Sequence, residues 1–284
     1  MLIAGAAMPL VPVVSAAIVA LETVRGGVAA TLPMAGLAGA VLVLLWAVVG
    51  PQLGVDPLYG TVYAAVAVAI FVVGVALGAL LRWARRLSLA FEAILVLGAA
   101  CVLVLNLFGP GGSELFTPLF DQLIDALTAD QNVTEAQLEA FRQAQPLVLG
   151  LLAAGLTSTL VLSLFLAYWL CGIAVGEPRF GAEFRELRLS RAIGIPATIL
   201  VTLSLVLRAP LVQNLTALAL VGFLFQGLSV LHAWAHVRRW HAGYVAPVYV
   251  LLLTPLRGLI VLGLAAAGLM DNWFDLRAPL RPRT

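Results

Sequence analysis

A guanidinium in the middle of an apolar run is the sharpest chemical feature of this sequence. Arg257 follows Thr254 and Pro255 near the centre of the run 244–270, where its side chain reaches neither end of a membrane-length helix. A charge at mid-bilayer costs about 2.5–3.5 kcal/mol on insertion scales, so it marks a contact with protein, water or an anion. The proline two residues earlier frees a backbone carbonyl that a guanidinium can bond. The expectation is an anion or solute contact, or else a structural pairing. Glu92, a short way inside the run 87–109, is the carboxylate of suitable type for that pairing.

A second set of polar residues falls in the outer half of the apolar runs. Asn106, Asn214 and Asp271, with Tyr59, Thr61, Tyr63, Gln213 and Asn272, are placed to line an outward-facing pocket for a small neutral or weakly charged solute. His232 and His236 stand four apart on one helix face, a spacing that suits a metal or a proton relay. Their segment, LHAWAHVRRWH, is an interfacial belt of Trp, Arg and His with no carboxylate in the same helix, so no metal site is expected. Cys101 and Cys171 lie singly inside apolar runs and are expected as small buried hydrophobes. There is no HExxH, no GxSxG and no deep pair of carboxylates. The chain is therefore expected to be neither an enzyme nor the holder of a cofactor.

Apolar helices must position these groups. Hydrophobic residues make up 62% of the 284 positions and charged residues 11%, with a mean hydropathy of +1.07; soluble domains run nearer a half and a quarter. A span needs about 20 apolar residues. Runs at 1–21, 28–50, 60–81, 87–109, 146–176, 192–207, 210–235 and 244–270 predict an all-α, polytopic transmembrane bundle of about eight spans. It would form a single integral membrane domain, 1–284, with the lipid bilayer as its first partner and no nucleic acid. Gly74 with Gly78, and Ala16 with Ala20, give small residues at the spacing that lets helices approach closely.

All 16 basic residues are arginine, and their placement sets orientation, because positively charged connections stay in the cytoplasm. One set of alternate loops carries Arg25; Arg82, Arg85 and Arg86; Arg179, Arg185, Arg188 and Arg191; and Arg238 and Arg239. The other carries Arg142 and Arg208. The first set is expected inside, in a multi-pass protein of a bacterial inner membrane. With eight spans the C-terminus then falls outside, which conflicts with Arg277, Arg281 and Arg283 in the tail. Either the last run does not simply cross, or the count is off by one.

Two connections have a pattern of their own. Residues 110–145 are long and acidic. Leu115, Phe116, Leu119, Phe120, Leu123, Ile124 and Leu127 make one helical face. Thr134 is placed to cap a second helix, so an amphipathic extramembrane helical hairpin is expected. Residues 177–191 are basic, and Phe180, Phe184, Leu187 and Arg191 alternate helically with charged residues. A cytoplasmic amphipathic helix is expected there, on which Phe180, Phe184, Arg185 and Arg188 rest on headgroups or dock a cytoplasmic protein.

The stretch RFGAEFRELRLSR, 179–191, and the terminal GLMDNWFDLR, 268–277, resemble the YybS-like family of uncharacterised bacterial multi-pass membrane proteins. The likeness extends over most of the chain. It implies a fold like that of the substrate-binding S components of energy-coupling-factor transporters, and hence a small-solute binding or transport component. It carries over no functional residue. S components usually have six spans, and the Ala16/Ala20 pair is a weak counterpart of their docking motif. The alternative expectation is a non-transporting scaffold or assembly factor that holds other proteins by its loops.

Overall fold

The structure, a computed structural model, describes residues 10–49, 52, 57–84, 86–108, 117–129 and 133–280. Regular structure among them is helical: α1 (Leu10–Gly26), α2 (Val28–Val49), α3 (Pro57–Ala84), α4 (Leu87–Phe108), α5 (Thr117–Ala129), α6 (Glu135–Ala144), α7 (Val148–Val175), α8 (Phe180–Arg185), α9 (Arg191–Ser204), α10 (Pro210–Val237), α11 (Ala242–Leu252) and α12 (Arg257–Phe274). Four stretches, Val28–Val49, Leu87–Leu107, Glu135–Val175 and Pro210–Val237, are long and apolar enough to cross a membrane. The start of the first run, Arg85, Leu115 and Phe116, and Arg281 and Arg283 lie outside the described residues. The side chains of Tyr59, Thr61, Tyr63, Leu119 and Leu123 do as well.

The chain divides into two compact units, residues 1–91 with 158–184, and residues 92–157 with 185–284. In the first, α1 packs on α3 through the small residues that the sequence flags. Gly74 faces the Ala16 carbonyl and Val19, and Gly78 faces the Ala20 carbonyl and Thr23. A Cβ at Gly78 would come within 2.6 Å of that carbonyl oxygen, so the two helices approach at a distance only glycine allows. By contrast, α2 buries only a narrow stripe, Thr31, Ala35 and Gly39. It leaves Leu32, Leu37, Leu44 and Val48 more than half exposed, an apolar face that needs lipid or a partner. Helix α7 ends in a paired cap: Gly176, at φ +76°, donates to the Ile173 carbonyl, and Glu177 donates to that of Gly172. The chain can then turn directly into α8.

The second unit is built on α10 and α12. A Cβ on Gly227 would lie 1.9 Å from the Leu264 carbonyl oxygen, and one on Gly268 would lie 2.0 Å from that of Phe223. Toward the C-terminal end of α10, the Trp234 indole donates at 3.2 Å to the carbonyl of Leu276, just past the end of α12. Contacts advance in the same direction along both helices, so α10 and α12 run parallel. The fully buried Asn214 of α10 ties down the start of α7, accepting from the Gly150 amide at 3.1 Å and donating to the Pro146 carbonyl.

Parallel neighbours require the chain to return between them, and here the structure departs from a single span over 244–270. That run is two helices. Pro255 has no amide proton to continue α11, and its ring disfavours helix at Thr254. Thr254 itself donates its hydroxyl to the Leu251 carbonyl and accepts from the Leu256 amide. Arg257 is therefore the first residue of α12 rather than the middle of a span, and its side chain is exposed.

Segment 177–191 differs from the expectation too. Helix stops at Arg185, and residues 187–190 are irregular. Leu187 and Leu189 are buried, with the partly exposed Arg188 between them. That alternation is the period of two of extended chain. In the connection before α7, Thr134 caps α6 as its position suggests, in a capping box with Gln137.

Substituting Gly268 by Ala should destabilise the protein by about 1–3 kcal/mol, since the new methyl meets backbone that cannot step aside. Gly263→Ala, in open space on the same helix, should be neutral. Thermal unfolding of the two variants in detergent checks this.

Candidate functional site

Residues 185–191 and 268–277 meet in the second unit. At their centre is Asp271, fully buried on the last turns of α12. Its Oδ2 accepts from Gln226 Nε2 at 2.9 Å and lies 3.1 Å from Arg277 Nη2. The Arg188 Nε stands 3.9 Å away. Arg188 also donates to the backbone carbonyls of Asp271 and Asn272, at 2.7 and 3.1 Å, and faces Asp275 at 3.6 Å. Two carboxylates and two guanidiniums make the cluster neutral in sum, the condition under which charges survive burial.

Local geometry brings Arg277 back to this point. Asp275 ends α12 in the left-handed conformation at φ +45°, one that Asp tolerates better than most residues. The reversal carries Arg277 under the helix end, where Nη1 donates to the Arg185 carbonyl at 2.6 Å and Nη2 to the Leu187 carbonyl at 2.8 Å. Burial lowers the Arg277 pKa from its usual value, and the neighbouring Asp271 pulls it back up. Among the described residues, Arg277 Nε and Asp271 Oδ1 find no hydrogen-bond partner.

The same groups fix the irregular strap 186–190. Gln226 Oε1 accepts from the Leu189 amide at 3.1 Å, and the Glu92 carboxylate accepts from the Ser190 amide. The strap, the C-terminal end of α10 and the tail frame an open cavity of about 480 Å³, lined by Arg185, Glu186, Arg188, Ala233, His236, Val237, Arg277 and Leu280. This is within the usual size range of ligand sites. The Arg185 guanidinium is half-buried there and has no hydrogen-bond or ion-pair partner among the described residues.

The residues singled out by sequence scatter differently from the expected pocket. Arg257 is exposed and does not pair with Glu92, which holds Ser190 instead. Asn106 bonds the Val102 carbonyl of its own helix at 2.9 Å. Asn214 shares a cavity of only about 210 Å³ with Gln213, Thr216 and Ser204, small for a ligand. Asp271, expected among these outer residues, sits with the arginine-rich strap. Phe180 and Phe184 stack on each other at 5.6 Å, and Phe184 meets Phe165 edge-on at 5.4 Å. Those rings are occupied within the chain. His232 contacts the Tyr249 hydroxyl at 2.7 Å, while His236 faces the larger cavity. Sequence reasoning did not single out Gln226 or Arg277; an uncharged amide in mid-helix and an arginine six residues after Asp271 were the available signals.

Comparison of the chain with protein-family models, curated proteins and solved structures finds no match.

Removing one partner of a buried ion pair strands the other. Arg277→Ala should therefore cost about 3–5 kcal/mol, well beyond Arg142→Ala, whose pairing with Glu139 is exposed. Denaturation midpoints of the two variants test the ranking, which a similar loss in both would refute.

Proposed function

We propose that this is a multi-pass protein of a bacterial inner membrane that binds or transports a small solute, in the manner of the YybS-like and S-component proteins that its sequence resembles. The observation that carries the reading is the cavity of about 480 Å³ bounded by Arg185, Arg188, His236 and Arg277. Solute is handled at this arginine-rich end, rather than at Arg257, Asn106 and Asn214.

The parallel pair α10 and α12 supports a specific topology. With α11 and the turn at 253–256 as a returning leg, the spans number nine, one more than the apolar runs suggest. The N-terminus lies outside, and the tail lies inside with Arg185, Arg188 and Arg191. Such an arrangement satisfies the charge rule for Arg277, Arg281 and Arg283 together. It also puts Arg257 near the outer surface, where exposure costs little. Helices α5 and α6 form the outer amphipathic hairpin.

A second reading has its own support. Glu92, Asn214 and Asp271 are all engaged in holding the chain to itself, which favours a scaffold that docks a cytoplasmic protein and performs no catalysis. Filling the cavity by Ala233→Phe should abolish the uptake phenotype of a complemented deletion strain if solute enters there. Normal uptake with that variant, together with loss of function on substituting exposed loop residues, would favour the scaffold. For the topology, a C-terminal green fluorescent protein fusion should fluoresce and an alkaline phosphatase fusion should be inactive; active phosphatase would return the tail to the outside.

A further inference from the structure

Which solute suits the cavity is decided by the charges left over after the cluster has neutralised itself. Asp271 and Asp275 balance Arg188 and Arg277. Arg185 then faces the cavity against a single exposed carboxylate, Glu186. Arg238 and Arg239 directly follow the lining residue Val237 in the chain. The cavity lining thus carries more guanidinium than carboxylate, and Arg185 keeps unused donors there. Guanidinium donors supplied from separate chain segments suit an anion with several acceptor oxygens better than a planar carboxylate. Ala233, Val237 and Leu280 form an apolar side, which suits a carbon chain attached to that anion.

We propose that this cavity binds a phosphate ester, with Arg185 meeting the phosphate and the Ala233, Val237 and Leu280 side receiving the alkyl portion. The inference deepens the solute-binding reading and rests on it where the ester is a free solute. The same chemistry is offered by an anionic phospholipid headgroup, for basic pockets at the cytoplasmic ends of membrane helices hold such groups.

The experiment uses the full chain. Thermal unfolding is followed in neutral detergent with inorganic phosphate or glycerol 3-phosphate added, and in nanodiscs of phosphatidylcholine with and without phosphatidylglycerol. Stabilisation by the soluble esters assigns the site to a free phosphorylated solute. A shift with phosphatidylglycerol alone assigns it to a lipid headgroup. In either case Arg185→Gln should weaken the effect about tenfold, as expected for the loss of one charge-assisted contact. Val237→Phe, which occupies the apolar side and leaves every charge in place, should abolish it, so the conclusion does not hang on one variant. Absence of stabilisation in all arms, or wild-type binding by both variants, overturns the proposal. Loss of uptake in Ala233→Phe without any phosphate effect would overturn it too while leaving the solute-binding reading in place.

Discussion

A carboxylate without solvent must be compensated, and much of the second unit follows from how Asp271 meets that requirement. Its charge is enclosed at the end of an apolar helix, where an unpaired ion would cost several kcal/mol. One amide from α10 and two guanidiniums from outside the bundle converge on it. For Arg277 to reach it, the chain must reverse at Asp275. For Arg188 to reach it, the strap must lie extended with its two leucines turned inward. A single buried charge thus fixes the ends of three segments distant in sequence. Buried ion pairs add little net stability compared with apolar substitutes. What this one supplies is register.

The glycines at the crossing of α10 and α12 impose the complementary constraint. Backbones that approach this closely pack over long stretches, and the parallel sense of the pair dictates that a third leg return between them. Helix α11, eleven residues long, covers about 16 Å at 1.5 Å per residue, short of the hydrocarbon thickness of about 30 Å. The irregular turn through Thr254 and Pro255 supplies part of the remainder. Arg257 comes to a helix end for this reason, and its charge needs no interior partner.

Much of this architecture was legible in the sequence, for physical reasons that also explain where legibility ended. Apolar runs report helices because lipid-length burial demands them, and each run is largely helical where described. The Gly74/Gly78 and Ala16/Ala20 pairs are legible as small-residue spacings, and the structure places them at the α1–α3 contact. Hydropathy does not report a break inside an apolar run, so 244–270 looked like one span. Counted as one span, it sets the tail arginines against the charge rule and places Asp271 in the outer half, apart from its partners. The structure brings Arg277 to the Arg185 and Leu187 carbonyls, a contact that no local pattern announces. The partnership itself was hidden, since Asp271 and Arg188 are 83 residues apart and nothing local relates them.

The polar groups that stood out as candidates for chemistry prove largely to serve the backbone. An extended strap has no helix or sheet to satisfy its amides and carbonyls, and in a poorly hydrated setting each one left unpaired is costly. Here Arg277 takes the Arg185 and Leu187 carbonyls, Gln226 the Leu189 amide and Glu92 the Ser190 amide. Side chains of α4, α10 and the tail stand in for secondary structure. An intramembrane charge is therefore ambiguous evidence of function until its backbone obligations are counted. By that count Asp271, Gln226 and Glu92 are committed. Arg185, whose carbonyl accepts from Arg277, is the arginine of this cluster whose guanidinium has no hydrogen-bond or ion-pair partner among the described residues.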